Sequence, residues 1–399
     1  MRITDIKTTV VQGWIDWLLI RIDTDEGISG YGDAPLLAGE AVAETYRAII
    51  NHTLKPKLLD QDPTNVERLY RKMGMDPRGG ILTFVISSVE MALWDIAGKA
   101  LDAPIYKLLG GKQRDKIRIY ADCHAGKPAF SMESFDVEKY KETYTPEAYA
   151  ENAINVKKLG YTFLKFDIHP EIAMLAGPKG YFDGSIGESG LKYLVSIIEA
   201  VREAIGEDIE LAVDFSIPAH KYYTVPDAIK LINALEKFNL KWAEDAVSPN
   251  NIDALATVTK SVKVPTLAGG ALQTRFGFRE IIQKQAVRIL HPDLAHCGGL
   301  AEGKKIHDMA EIYYMPVALH NICSPIGTMA MVHAAATMSN FLALEIHHLA
   351  VPWWEDLVKG DKPIIKEGYI EVPDKPGLGI ELNEAEVKKH LKPGEKYFT

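Results

Sequence analysis

Between residues 165 and 345, short apolar runs repeatedly end in a charged or imidazole side chain. They read LKFD to Asp167, LAVD to Asp214, KWAE to Glu244, ILHPD to Asp293, VALH to His320 and ALE to Glu345. Carboxylates recurring in this way suit a hard cation such as Mg²⁺, which prefers oxygen ligands. Asp214 and Glu244 are therefore a candidate metal pair, or else they hold neighbouring basic side chains and cap helices. Asp293 and His320 form a candidate acid–base dyad with Glu345 on its far side, because a carboxylate fixes the tautomer of an imidazole and raises its basicity. Lys165 and Asp167 sit at i and i+2 of one run, so an extended chain turns both to the same face. Lys165 could bind a substrate carboxylate, act as a base of lowered pKa, or pair internally with an acid. One run is blank: VPTLAGG ends at Gly270, where the rhythm asks for another polar residue.

The runs need a scaffold that brings their ends together. Most recur at intervals of about 25 to 30 residues, enough for one strand, one helix and two short loops. KIRIYADCH, TFLKFDIH, IELAVDFS, LKWAEDAV, VPTLAGG, RILHPDLAH, MPVALHN and FLALEIH are the candidate strands, and their apolar character suits burial on both faces. Helical patterns lie between them, for example at 146–159, 189–206, 225–237 and 300–313. The fold class expected is α/β, a (β/α)8-type TIM barrel over residues 116–350, with polar residues gathered at one mouth. Residues 1–115 read as a separate α+β capping domain. ITDIKTTVV and WLLIRIDTDE alternate with period two, Gly27 and Gly30 mark turns, and helical patterns follow near 38–58, 64–73 and 82–103. The segment 351–399, rich in Pro, Gly and Lys, is expected to pack back on the cap.

The 399 residues are 47% hydrophobic and 25% charged, as in a globular protein with a sizeable core. A net charge of -9 without a basic stretch argues against nucleic acid or an anionic membrane as partner, while a small anionic substrate stays open. The first residues are too polar and too regular for a signal peptide, and no run of about 18 apolar residues is evident, so a cytoplasmic location is expected. The three cysteines, Cys123, Cys297 and Cys323, cannot all pair and read as small buried hydrophobes, though a nucleophile beside His320 is conceivable. Gly298 to Lys304 imitates a phosphate-binding loop, but Lys305 stands where Ser or Thr would hold Mg²⁺, so a close turn over the barrel rim is the better reading. His347 is in phase with Glu345 if that strand continues, and otherwise reads as a rim histidine.

Three stretches carry a resemblance that spans nearly the whole chain. SSVEMALWDIAGKALDAPIYKLLGG, PDLAHCGGLAEGKKI and VPDKPGLGIEL are similar to the capping helix, sixth-strand and C-terminal signatures of the enolase superfamily, in its mandelate racemase-like group. LKFD and HHLAVPWWEDLV look like the gluconate- and galactonate-type sugar-acid dehydratases of that group. The resemblance implies a cap closed over the barrel mouth and one Mg²⁺ ion on the carboxylate of a sugar acid. It implies Asp214 and Glu244 as metal ligands, Asp293 and His320 as the dyad, Lys165 as a catalytic aid at the substrate carboxylate, and Glu345 as an acid that hydrogen-bonds that carboxylate. Asp167, Asp245, Trp14 and Trp17 would contact substrate, the tryptophans from a cap loop at Gln12–Trp17. Relatives of this kind are often homo-oligomers. The departures are Gly270 at the third metal ligand, Ser216 in place of a histidine acid, and Asp245-Ala246 in place of Glu-Pro. The expected activity is aldonate dehydration to a 2-keto-3-deoxy acid. The missing ligand leaves open a non-catalytic or metal-independent relative, a sugar-acid binder or isomerase.

Overall fold

Antiparallel pairing begins the chain. Strands β1 (Ile3–Gln12), β2 (Asp16–Thr24) and β3 (Ser29–Leu36) form a three-stranded meander, and Gly27 (φ 77°) makes the turn between the last two. This is a computed structural model, and it describes residues 1–36, 40–128, 136–176, 186–215 and 222–399. Helix Ile81–Ala100 lies on β3 so closely that a Cβ at Gly32 would fall 1.9 Å from the Ser88 carbonyl oxygen, and one at Gly30 2.2 Å from that of Ala92. Gly30 thus serves close packing within a strand and not, as expected, a turn. By length and composition this 20-residue helix could cross a membrane, contrary to the sequence expectation, yet 78% of its apolar window is buried inside the protein. It is the core helix of the cap.

From Lys116 the chain alternates strand and helix. Strands β4 (Lys116–Asp122), β5 (Phe163–Asp167), β6 (Glu210–Asp214), β7 (Leu240–Glu244), β8 (Thr266–Ala268), β9 (Ile289–Leu290), β10 (Val317–Leu319) and β11 (Phe341–Ile346) pair in parallel and in order, and β11 closes on β4. The result is a TIM barrel with an N-terminal cap. Several outer helices start where their sequences say they should. Thr145 caps Pro146–Lys158, Thr224 caps Val225–Leu235, Asn251 caps Ile252–Ser261 and Ser324 caps Pro325–Ala336, each side chain accepting from an amide of the first turn.

Each barrel strand sends one side chain into a buried interior layer: Tyr120, Phe163, Ala212, Trp242, Leu267, Ile289, Ala318 and Ala343. The large rings of Tyr120, Phe163 and Trp242 pack together at 4.7–5.2 Å between centroids, and the alanines leave them room. This layer is a solid floor under the mouth.

After the barrel, β12 (Val358–Lys359) pairs with β14 (Glu381–Leu382), and β13 (Tyr369–Glu371) runs antiparallel to β4. The final residues then join the cap, with Gln12 N–H donating to His390 O at 2.9 Å and Lys392 N–H to Val10 O at 3.0 Å. The tail therefore ties to the barrel first and the cap second.

Cap and barrel also meet through buried carboxylates. Glu90 accepts from the Leu300 and Ala301 amides (2.8 and 3.0 Å) at the start of helix Leu300–Ile312, and from Trp94 Nε1 at 2.6 Å. Asp33 likewise accepts from the Ser324 amide at 2.7 Å. A Cβ at Gly299 would fall 2.3 Å from Glu90 Oε2 and one at Gly298 2.8 Å from the Tyr70 hydroxyl, which explains the glycine pair. The phosphate-like loop is thus filled by an acid of the protein itself.

Candidate active site

Side chains alternate along a strand, so two residues beyond each floor residue the next inward side chain appears. The step gives Asp122, Lys165, Asp214, Glu244, Gly269, His291, His320 and Glu345, one from each strand in order round the barrel. Seven of the eight are polar, and the exception is on β8. Strand register sets some neighbours side by side, Asp122 with Lys165 and Asp214 with Glu244, and staggers others, so that Asp214 is level with Asp167 and Glu345 with Tyr120.

Lys165 is 1% exposed, and its Nζ lies 2.5 Å from Glu345, 3.0 Å from Glu244, 3.1 Å from Asp122 and 3.4 Å from Asp214. Burial alone would lower its pKa, but the carboxylates of Asp122, Glu244, Glu345 and Asp214 outweigh it and hold the group well above the ordinary lysine value. These four contacts make Lys165 the internal cation of the ring. Its charge does not neutralise the cluster. Burial, and then the neighbouring Glu244, keep Asp214 well above the usual carboxylate range, and the same two causes lift Asp245 to about 7.

His320 Nδ1 is 2.6 Å from Asp293 Oδ2, and the ring is one-fifth exposed. Asp293 can only accept when ionised, so Nδ1 carries the proton and Nε2 presents its lone pair, 3.9 Å from Glu345 Oε2. Burial pushes Asp293 up, but the His296 and His320 rings and the Ala295 amide hold it below its ordinary value. Burial opposes protonation of His320, while the Asp293 hydrogen bond and Glu345 raise its pKa above 6.5. Glu345 joins the two halves, one oxygen towards Lys165 and the other towards His320.

The other expected residues divide. Asp167 lies above Lys165 and meets His124 Nδ1 at 3.2 Å. Trp14 reaches the mouth and stacks on His347 (5.1 Å, 14°). Trp17, expected at the substrate, is fully buried, with its indole N–H on Ile322 O at 2.9 Å, so it anchors cap to barrel. Asp245 has a left-handed backbone (φ 44°) and a buried Oδ1 without a hydrogen bond. Ser216 and cap-loop residues 37–39 lie outside the described residues. Cys297 and Cys323 are buried, and burial pushes both thiols well up, against a nucleophile. Three residues escaped the sequence reading: Asp122 and His124 at the end of β4, and His291 two residues before Asp293. His124 Nε2 lies 3.1 Å from His347 Nδ1, and His347 Nε2 lies 3.3 Å from Glu345 Oε1, so His347 faces inward. Counting two from the floor finds Asp122 and His291, and a second step of two along β4 finds His124.

A capped parallel barrel with carboxylates, a lysine and histidines at its mouth defines the enzyme class. Residues 148–386 match the enolase C-terminal domain-like family, and residues 6–110 the mandelate racemase/muconate lactonizing enzyme N-terminal domain. The chain belongs to the enolase superfamily, in its mandelate racemase/muconate lactonizing enzyme group. It is 38% identical to a D-xylonate dehydratase of Haloferax volcanii, over 99% of this chain and 90% of that one. Among solved structures it is similar to a mandelate racemase/muconate lactonizing enzyme-like protein from Rubrobacter xylanophilus (TM-score 0.89, 36% identity, covering 100% of this chain and 99% of that one). A mandelate racemase/muconate lactonizing enzyme from Jannaschia sp. CCS1 also matches (TM-score 0.81, 30% identity, 100% and 99% covered).

Members of the superfamily use Mg²⁺. The residues here fit a divalent cation. Asp214 and Glu244 stand side by side on β6 and β7, and the buried polar atoms Glu345 Oε1 and Oε2 and His291 Nε2 make no well-directed hydrogen bond. Burial disfavours a charge on His291, but Glu244 and Glu345 hold its pKa well above the ordinary imidazole value, so it adds to the positive charge of Lys165. Oxygens of Asp122, Asp167 and Asp214 nevertheless lie within 4.8 Å of one another, a donor set suited to a hard cation.

Proposed function

We propose that the protein is an aldonate dehydratase, with five-carbon acids such as D-xylonate first among its substrates. The observation that carries this reading is the Asp293–His320 dyad, its free Nε2 turned towards the same Glu345 that holds Lys165. His320 Nε2 takes the proton alpha to the substrate carboxylate, and the electron pair moves towards that carboxylate to form an enediolate. The C3–O bond then breaks, the 3-hydroxyl leaves as water with a proton returned from the imidazolium, and the enol tautomerises to a 2-keto-3-deoxy acid. Lys165 turns its ammonium to the substrate carboxylate, and Glu345 holds that ammonium in place. Trp14 closes the mouth from the cap and keeps water out. A divalent cation at Asp214 and Glu244 would supply fixed positive charge where the carboxylate gathers electrons. The D-xylonate dehydratase relative supports the substrate class.

A panel of C5 and C6 aldonates, each incubated with the protein and Mg²⁺ or Mn²⁺, tests the proposal. We expect 2-keto acid from at least one C5 acid. No 2-keto acid from any member would sink it.

A further inference from the structure

The acid of the dyad has a second imidazole against it. Asp293 Oδ2 lies 2.6 Å from His320 Nδ1 and 3.2 Å from His296 Nδ1, while Oδ1 accepts the Ala295 amide at 2.7 Å. Asp293 is fully buried, and His296 is buried too. The chain turns back on itself to make this contact. The amides of His296 and Cys297 both donate to the Asp293 carbonyl oxygen, at 3.1 and 2.7 Å. An ionised carboxylate only accepts, so the proton of His296 belongs on Nδ1. The Gly270 carbonyl also lies near this ring, but a charged oxygen is the stronger acceptor. Burial holds the His296 pKa below the ordinary imidazole value, although Asp293 pulls the other way, so the ring is a neutral donor.

The cap helix holds this segment along its length. Phe84 meets the His296 ring edge-on at 4.7 Å and 85°, Ser87 Oγ accepts the Gly298 amide at 2.9 Å, and Glu90 takes those of Leu300 and Ala301. Phe84, Ser87 and Glu90 follow one another at i, i+3 and i+6, one face of the helix. We propose that His296 is a positioning residue for the dyad: its Nδ1–H fixes the Asp293 carboxylate and shares its negative charge, which sets how strongly His320 holds a proton. The inference rests on the dehydratase reading only for the use made of His320. Its sign follows from charge. Asp293→Asn removes the anion and weakens proton binding at His320. Removing the donor behind Asp293 instead leaves that anion less compensated, so the Asp293–His320 pair holds its proton more tightly. Glu345 and His291, which also act on His320, are the same in both cases.

The test is an imidazole ¹⁵N NMR titration of the full-length protein with Mg²⁺, in wild type, His296→Phe and His296→Asn. In the wild type, His296 should be the neutral Nδ1–H tautomer. His296→Phe keeps a ring against Phe84 without the donor. There the His320 midpoint should rise by about one pH unit, the scale of a hydrogen bond to a charged group. His296→Asn returns a donor near the same place and should restore the midpoint. The acidic limb of aldonate dehydration should move in the same order, with KM unchanged within about twofold because His296 acts through Asp293. A His296 proton on Nε2 in the wild type, or a His320 midpoint that stays or falls in His296→Phe, overturns the proposal. If the Phe variant does not fold, the wild-type tautomer decides alone. The expected tautomer and midpoints in a protein that dehydrates no aldonate would keep His296 as the positioning residue and remove the dehydratase reading instead.

Discussion

Two sets of buried acids sit within the same capped barrel and are treated in opposite ways. At the seam, both oxygens of Glu90 have N–H partners, supplied by two helix-start amides and the Trp94 indole. At the mouth, Glu345 and its neighbours crowd round one ammonium and leave atoms without directed partners. Burial lifts Glu90 to about 7, yet it is a structural plug that fixes cap to barrel. Perturbed titration alone thus does not mark a functional site. The mouth differs because its polar groups converge on a shared space, with partners left open for something that arrives from outside.

Substitutions at the two places should separate accordingly. The larger effect is expected at the mouth. Asp293→Asn removes the negative charge that fixes the tautomer of His320 and raises its pKa, so kcat should fall at least about 100-fold. The base must be neutral to accept a proton, so activity is lost as pH falls through the His320 pKa. Without Asp293 that pKa drops, and the acidic limb of the residual profile should move to lower pH. A profile that stays in place would show that His320 is not the titrating base.

The smaller effect belongs to the seam. Glu90→Gln turns one acceptor into a donor against helix-start amides, at a cost of about 1–3 kcal/mol in denaturant unfolding, with the pH profile of activity unmoved. The folded pKa near 7 exceeds the ordinary 4.5, so the stability linked to this proton is full below pH 4.5 and is lost as pH rises through about 7. The wild-type advantage over the Gln variant should shrink across that window. A seam variant that moved the activity profile would erase the distinction between the two regions.

The barrel was legible because every strand but β8 is an apolar run ending in a polar residue, and even β9, only two residues long, kept its ILHPD pattern. The dyad was legible for the same reason. His291 was hidden in that run because Asp293 drew attention as its end, although period two puts both on one face. Asp122 and His124 escaped because the rhythm was counted from Lys165, one strand too late. Trp17 was misread because a cap tryptophan near the mouth and one wedged under it look alike in sequence. Only packing tells them apart. The glycines at 298 and 299 suggested a phosphate, and the anion they make room for comes from a helix some two hundred residues earlier, a distance no local motif encodes.

The central claim is that the ring delivers His320 Nε2 to the proton alpha to a sugar-acid carboxylate. Proton NMR of D-xylonate in D₂O with the metal-loaded protein, wild type against His320→Asn, tests it most directly. The account predicts loss of the C2–H signal and a 2-keto acid carrying solvent deuterium at C3, with neither in the variant. A C2–H signal that persists with the wild type, or one that disappears equally fast with His320→Asn, would contradict it.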